Sequence, residues 1–330
     1  MKQWQRYTAA ALLAAAALMG LSGCGGSETK AAPADGKKHL AVVQIMQHGS
    51  LDAANQGAID RLAERGWTAD KIDIDQQNAQ GDQSNLKNIS SRFRNANPDV
   101  ILAISTPAAQ SVANEIHDIP IVGVAITDFE TARLVKSNAR PETNVTGVND
   151  RGPVEEQVEM GLVFVPDAKT MGLLYCASEI NSEIQAEQAR VHAAKLGLAV
   201  QEATVSNVND IQQAAESIAG SVDFIYVPTD NVFASSIPTL VKVTDAAKIP
   251  VFAAFEQAQK DGAFASLSVD YYGLGKQAGV MAARILKGEA KPETTPIETQ
   301  KDLIVIINQK NAEELGITIP EDIAKTAKMV

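Results

Sequence analysis

Polar side chains able to grip a small charged solute occur in this chain in short clusters, each placed after a run of β-branched and apolar residues. His48 follows Leu40 to Ile45, Ser105 and Thr106 follow Val100 to Ile104, and Asp128 follows Ile121 to Ala125. Asn181 and Ser182, with Glu179 beside them, come after Met171 to Tyr175; Thr229, Asp230 and Asn231 come after Val222 to Val227; Asp270 comes after Phe264 to Val269. Hydroxyls, amides, carboxylates and an imidazole can pair hydrogen bonds and charge in a ligand. A catalytic constellation is not legible among them. His39, His48, His117 and His192 stand at no metal-ligand spacing, and neither a G-x-x-x-x-G-K-[ST] loop nor a G-x-S-x-G elbow occurs. In Gly273-Leu274-Gly275-Lys276-Gln277-Ala278-Gly279 the third glycine is one residue late for a dinucleotide fingerprint, so the segment reads as a helix with small residues for close packing. The pattern favours a binding protein, without cofactor or metal, over an α/β enzyme.

The elements that must position these clusters alternate. Strands are expected at 40–45, 71–75, 100–104 and 121–125, with amphipathic helices at 51–65, 86–94 and 107–116 between them. After residues 144–148 and a helix at 153–164 the alternation restarts, with strands at 171–175, 200–205, 222–227 and 251–254 and helices at 180–196, 211–218 and 233–247. Such spacing implies parallel βαβ units with helices on both faces of each sheet. The fold class is α/β, with two Rossmann-like lobes. In open parallel sheets ligands bind beyond the carboxyl ends of the strands, and the polar clusters collect there. All of them would then face one cleft between the lobes.

Roles within that cleft follow from chemistry. Pro107 suits the first helical position and leaves N–H groups free for an anion such as a carboxylate, although Ser105 or Thr106 serves equally as the cap of that helix. An α-ammonium buried between lobes needs a carboxylate, because an unpaired buried charge costs on the order of several kcal/mol. Asp230 is one candidate for it, with Asp128, Glu256 and Asp270 as others; capping is the alternative for Asp230 and the better reading for Asp270. Asn181 and Ser182 could contact ligand or cap a helix, and Glu179 reads as solvent-facing. His48 could donate to a ligand, across the cleft or locally.

The N-terminus sets the compartment. Lys2 and Arg6 precede an apolar run from Ala9 to Met19, which has the form of a signal peptide and is short for a membrane span of about 20 residues. Leu21-Ser22-Gly23-Cys24 resembles a bacterial lipobox, which implies that Cys24 becomes the lipidated N-terminus. Residues 25–38 are rich in small and polar types and read as a leash. The whole chain of 330 residues carries 29 basic and 40 acidic side chains; loss of residues 1–23 takes Lys2 and Arg6 away and leaves 27 against 40, a net charge of −13. A surface this acidic argues against nucleic-acid binding. Cys176 is then the remaining cysteine and reads as a small buried hydrophobe.

Six phrases occur in register: Gln47-His48-Gly49, Ser105-Thr106-Pro107-Ala108-Ala109, Asn144-Val145-Thr146-Gly147-Val148, Glu179-Ile180-Asn181-Ser182, Val227-Pro228-Thr229-Asp230-Asn231 and Asp270-Tyr271-Tyr272-Gly273-Leu274-Gly275. Together, over about residues 39–315, they resemble the ABC transporter substrate-binding family that includes tryptophan- and phenylalanine-binding lipoproteins. The resemblance implies a type I periplasmic-binding-protein fold with a multi-strand hinge. It also implies a small-molecule ligand, an amino acid and within that class an aromatic one, an inner-membrane ABC permease as partner, and a monomer anchored by lipid in the cell envelope. A ligand sensor for a receptor is the alternative use of the same cleft. The expected organisation is a signal peptide at 1–23, a linker at 24–38, one lobe from 39–125 plus 263–290 and a second from 126–262 plus 291–330. Phe129 and Phe255-Glu256 depart from the family pattern, and either phenylalanine could wall the ligand or pack in the core.

Overall fold

A computed structural model of the chain describes residues 36–330. The signal peptide, Cys24 and nearly all of the leash lie outside the described residues.

The first lobe begins with β1 (Lys38–Gln44), α1 (Gly49–Glu64), β2 (Ile72–Asn78), α2 (Gln83–Ala96), β3 (Val100–Ile104), α3 (Thr106–Glu115), β4 (Ile121–Ile126) and β5 (Val145–Asn149). The second follows with α4 (Val154–Phe164), β6 (Thr170–Cys176), α5 (Ile180–Lys195), β7 (Ala199–Val205), α6 (Ile211–Ile218), β8 (Phe224–Val227), α7 (Asn231–Ala234), α8 (Ile237–Ala246), β9 (Val251–Ala253) and β10 (Ala265–Val269). The chain then returns to the first lobe with α9 (Tyr271–Leu286) and β11 (Glu298–Thr299), and ends in the second with β12 (Leu303–Ile307), α10 (Gln309–Leu315), α11 (Glu321–Ala324) and β13 (Lys328–Met329).

One sheet has the order β11-β5-β4-β3-β1-β2 and the other β13-β12-β10-β9-β8-β6-β7. Pairing is parallel throughout except between β10 and β12. Central strands such as β3 and β4 are buried along their whole length, as continuous apolar sequence between two helical layers requires. At the edges β2 and β7 are polar and part-exposed, which blunts them against pairing with another chain. The core of the second lobe includes Phe164, Phe224, Phe252 and Phe264 in edge-to-face contact at centroid distances of 4.9–5.6 Å.

The crossings fall at different places from those expected. Residues 126–149, expected in the second lobe, belong to the first, where β5 pairs with β4. The reason lies in Gly147, at φ 154°, where a Cβ would stand 2.0 Å from the Gly123 carbonyl oxygen, so that only glycine lets the two backbones approach. Residues 263–269, expected in the first lobe, belong to the second, where β10 pairs with β9 and β12. Residues 291–299 return to the first lobe through β11. Three short connections, 150–153, 270 and 300–302, therefore form the hinge.

Two helices position the first lobe's side of the cleft. α1 and α9 touch backbone to backbone, since a Cβ on Gly275 would lie 1.9 Å from the Ala54 carbonyl oxygen and one on Gly279 would lie 2.6 Å from that of Ala58. This is the close packing read from the glycine spacing. The helix expected over 233–247 is instead broken at Ser235 and Ser236, where α8 starts with Pro238 in its first turn, a position in which proline's missing N–H removes no bond.

Candidate functional site

The carboxyl ends of β1, β3, β4, β6, β8 and β9 meet at the interface between the lobes, and the hinge closes one side of it. His48, Thr106, Ala125, Thr127, Asp150 and Tyr271 line a narrow enclosed cavity from the first lobe and the hinge. Asn181, Thr229, Asp230, Asn231 and Phe255 line it from the second. The lobes are drawn together over it. His48 Nε2 lies 3.3 Å from Asn231 Oδ1 across the cleft, and a Cβ on Gly49 would stand 2.5 Å from Gln257 Cγ.

Two non-glycine residues with positive φ stand at the first wall. Ser105, the N-cap of α3, has φ 95°, and Ala125 has φ 56° at a register shift between β4 and β5. Non-glycine residues in this region persist where the surroundings over-determine them, and ligand sites are where such strain gathers. The bulge turns Thr127 into the cavity, with its N–H donating to Thr106 Oγ1 at 3.4 Å. Ser105 itself is buried behind the wall, its hydroxyl accepting from Ala108 N at 3.4 Å. Pro107 has no N–H and the Ala108 N–H is taken by Ser105, so the Thr106 N–H is the donor that the start of α3 leaves without an intrahelical acceptor.

On the second wall the polar residues are bound to one another. Asp230 caps α7 by accepting from Phe233 N at 2.9 Å, and its other oxygen accepts from Cys176 N at 2.6 Å. Glu179 is buried rather than solvent-facing, and its Oε2 accepts from Asn181 Nδ2 at 2.9 Å and Asn231 Nδ2 at 2.7 Å. Burial, and then the neighbouring Asp230, hold the Glu179 carboxyl well above the usual carboxylate range; burial raises Asp230 as well. Asn181 also donates to the Thr229 carbonyl at 2.9 Å, and Ser182 is fully buried against the same carbonyl. Burial likewise pushes the Cys176 thiol up to about 11, consistent with an inert core cysteine.

Two residues at the hinge complete the cavity. Asp150 accepts from Tyr271 Oη at 3.0 Å and from Thr127 Oγ1 at 3.2 Å, tying two chain crossings together. Burial pushes its carboxyl up to about 6, with those two hydroxyls pulling it back. No lysine or arginine lines the cavity among the described residues, so this carboxylate faces the space with hydroxyl partners alone. Sequence reasoning did not select Asp150, Thr127 or Tyr271. The signal available was the pairing of Asp150-Arg151-Gly152-Pro153 with Asp270-Tyr271, two polar breaks that each end a strand and begin a helix in the other lobe.

Asp128 is set apart. It accepts from Thr131 N at 2.9 Å and pairs with Arg151 at 3.3 Å outside the cavity. Asp270 caps α9 through Gly273 N at 3.0 Å, as read from the sequence. Of the two phenylalanines that depart from the family pattern, Phe255 lines the cavity, whereas Phe129 is core packing against β4.

Two hinged α/β lobes closed over a polar cavity define a solute-binding protein. A model of the family described as ABC transporter substrate binding protein matches residues 39–330, and the chain belongs to that family. A tyrosine-binding protein of Clostridioides difficile is 37% identical over 292 residues, covering 88% of this chain and 84% of the relative. Among solved structures, an ABC domain from Streptococcus pneumonia in complex with L-Trp is 39% identical, covers 89% of this chain and all of that one, and superposes with a TM-score of 0.87. The ligand-free, open structure of a substrate binding protein with adhesive properties from Clostridium difficile is 37% identical over 89% of this chain and 99% of its own, with a TM-score of 0.68. The lower score at nearly equal identity is what a different angle between lobes produces. The fold is that of type I periplasmic binding proteins, whose ABC-linked members work outside the cytoplasm and are not enzymes.

Proposed function

We propose that this protein captures an aromatic amino acid in the interlobe cavity and delivers it to an ABC permease of the inner membrane. The observation that carries the reading is Asp150, a buried carboxylate at the hinge that faces the cavity without a cationic partner. An α-ammonium supplies that partner. Its charge stabilises the ionised carboxylate, while Tyr271 and Thr127 hold the carboxylate in place. The ligand's carboxylate takes the N–H of Thr106 at the start of α3. Phe255 offers an aromatic face to the side chain. Because Asp150 sits on a crossing connection, a ligand held there contacts the hinge and both lobes at once, so the closed form binds it better than the open form and the population shifts toward closure.

Of the residues read from the sequence as ligand contacts, His48, Thr106, Asn181, Thr229, Asp230 and Asn231 belong to this reading as cavity walls. Ser105 and Ser182 support those walls from behind. The ammonium role considered for Asp230 passes to Asp150, since both oxygens of Asp230 already accept backbone N–H groups. Cys24 is proposed as the lipid-bearing N-terminus of a monomer tethered in the cell envelope. Native mass spectrometry of the purified protein tests the ligand assignment: the expected adduct has the mass of tyrosine, tryptophan or phenylalanine, and an adduct of a sugar or a purine would refute it.

A further inference from the structure

Around the cavity, three buried polar atoms lack a partner among the described residues: His48 Nδ1, Asn181 Oδ1 and Thr229 Oγ1, the last a hydroxyl that can donate as well as accept. The tautomer of His48 follows from its neighbours. Asn231 Nδ2 donates to Glu179 Oε2 at 2.7 Å, which fixes that amide with its oxygen toward the imidazole. Asn231 Oδ1 carries no hydrogen, so His48 Nε2 must bear the proton and donate across the cleft at 3.3 Å. In a neutral imidazole this leaves Nδ1 with a lone pair. Burial keeps the ring neutral by pushing its pKa down to about 4. Although His48 is the N-cap of α1, its side chain makes no capping bond, so Nδ1 is not spent on its own helix. Asn181 reaches a similar condition on the other wall, where its amide nitrogen donates to Glu179 and to the Thr229 carbonyl and its oxygen is left over.

Buried acceptors without donors are rare in folded proteins, and at a binding cavity they mark what the ligand must bring. The α-ammonium has three N–H donors, one toward Asp150 and two that can reach neutral acceptors such as Asn181 Oδ1, and the side chain is the ligand's remaining source of a donor. We infer that His48 Nδ1 accepts a hydrogen bond from the ligand's side chain, so that the cleft selects aromatic amino acids carrying a phenol O–H or an indole N–H over phenylalanine. This rests on the aromatic amino-acid reading above. A site built to bond such a hydrogen rejects the analogue that lacks it, since the site's own polar atom then stays unpaired.

Calorimetric titration of the protein with L-tyrosine, L-tryptophan and L-phenylalanine near neutral pH tests the inference, with His48→Ala as the variant. The unaltered protein is expected to bind the better of tyrosine and tryptophan at least about tenfold more tightly than phenylalanine, and His48→Ala to bring the ratio within about threefold. Equal binding of all three by the unaltered protein overturns the selectivity and leaves the amino-acid reading intact; this arm needs no variant. A uniform loss for all three ligands in His48→Ala also overturns it, reducing His48 to a latch between the lobes. Absence of binding by any of the three removes the reading beneath the inference and the inference with it.

Discussion

Asp150 concentrates the chemistry of the site at one carboxylate, and its ionisation gives the cleft a pH dependence of known sign. Folded and ligand-free, it titrates near pH 6, against 3.8 for an ordinary aspartate, because burial disfavours the charge. Between those values the folded chain holds a proton that the unfolded chain has lost, so this group's contribution to stability is present below about pH 4 and is lost as pH rises through 6. Ligand binding runs the other way. An ammonium requires the ionised form, so affinity should rise about tenfold per pH unit below 6 and level off above 7. Asp150→Asn should weaken binding at pH 7.5 by more than about tenfold and flatten that part of the profile, which separates it from the raised carboxyls of Glu179 and Asp230 across the cleft. Titrations at pH 5, 6, 7 and 8 on both proteins check this; a variant that retains full affinity would remove Asp150 from the site. Much of the second wall was legible in the sequence, because Asn181, Thr229, Asp230 and Asn231 stand directly after apolar runs. Asp150 was not, since its importance comes from meeting Tyr271 across 121 residues of chain, which no local pattern encodes. Glu179 is buried for a related reason: two of its three donors come from Asn231, which only tertiary folding brings to it.

Helices α1 and α9 carry the first wall, and their contact is made by absence of side chains. Gly275→Ala would drive a methyl group into the Ala54 carbonyl, an obstacle of backbone that cannot rotate away. The expected cost is roughly 1–3 kcal/mol, read as a lower midpoint in urea unfolding with an unchanged slope. Since α1 begins at His48 and α9 at Tyr271, forcing them apart should weaken ligand binding as well as the fold. A Gly275→Ala protein with an unchanged midpoint would show that the helices can part freely. At this scale the alternation of apolar runs revealed nearly every strand and helix, because hydrophobic periodicity reports burial. Partners of those strands were less legible. Placing β5 with β4, and β10 with β9, depends on the close approach at Gly147 and on the bond from Phe264 N to the Val251 carbonyl, so the expected first crossing at 126 lies 24 residues before the observed one at 150. The division of 233–247 into α7 and α8 was signalled by Pro238, which starts a helix more readily than it continues one.

The whole molecule works by the angle between its lobes. With His48 bonded to Asn231 across the cleft the closed form is seen, and the ligand-free relative's open form shows how far the same fold can part. The radius of gyration from small-angle scattering should therefore fall when ligand is added to ligand-stripped protein; a radius indifferent to saturating ligand would contradict closure. Anchoring is tested separately by Cys24→Ala, which should move the protein from the membrane fraction to the soluble one, with unchanged partitioning as the contrary result. Among the described residues no helix is long and apolar enough to cross a membrane. The central claim, a cleft that closes on the zwitterion of an aromatic amino acid, meets its most direct test in calorimetry of the ligand-stripped protein against the amino acids, a hexose and a purine. Tyrosine, tryptophan or phenylalanine should bind with a Kd in the micromolar range or below, about −8 kcal/mol or stronger, and glycine far more weakly. Heat from the hexose or the purine, with none from any amino acid, would contradict the account.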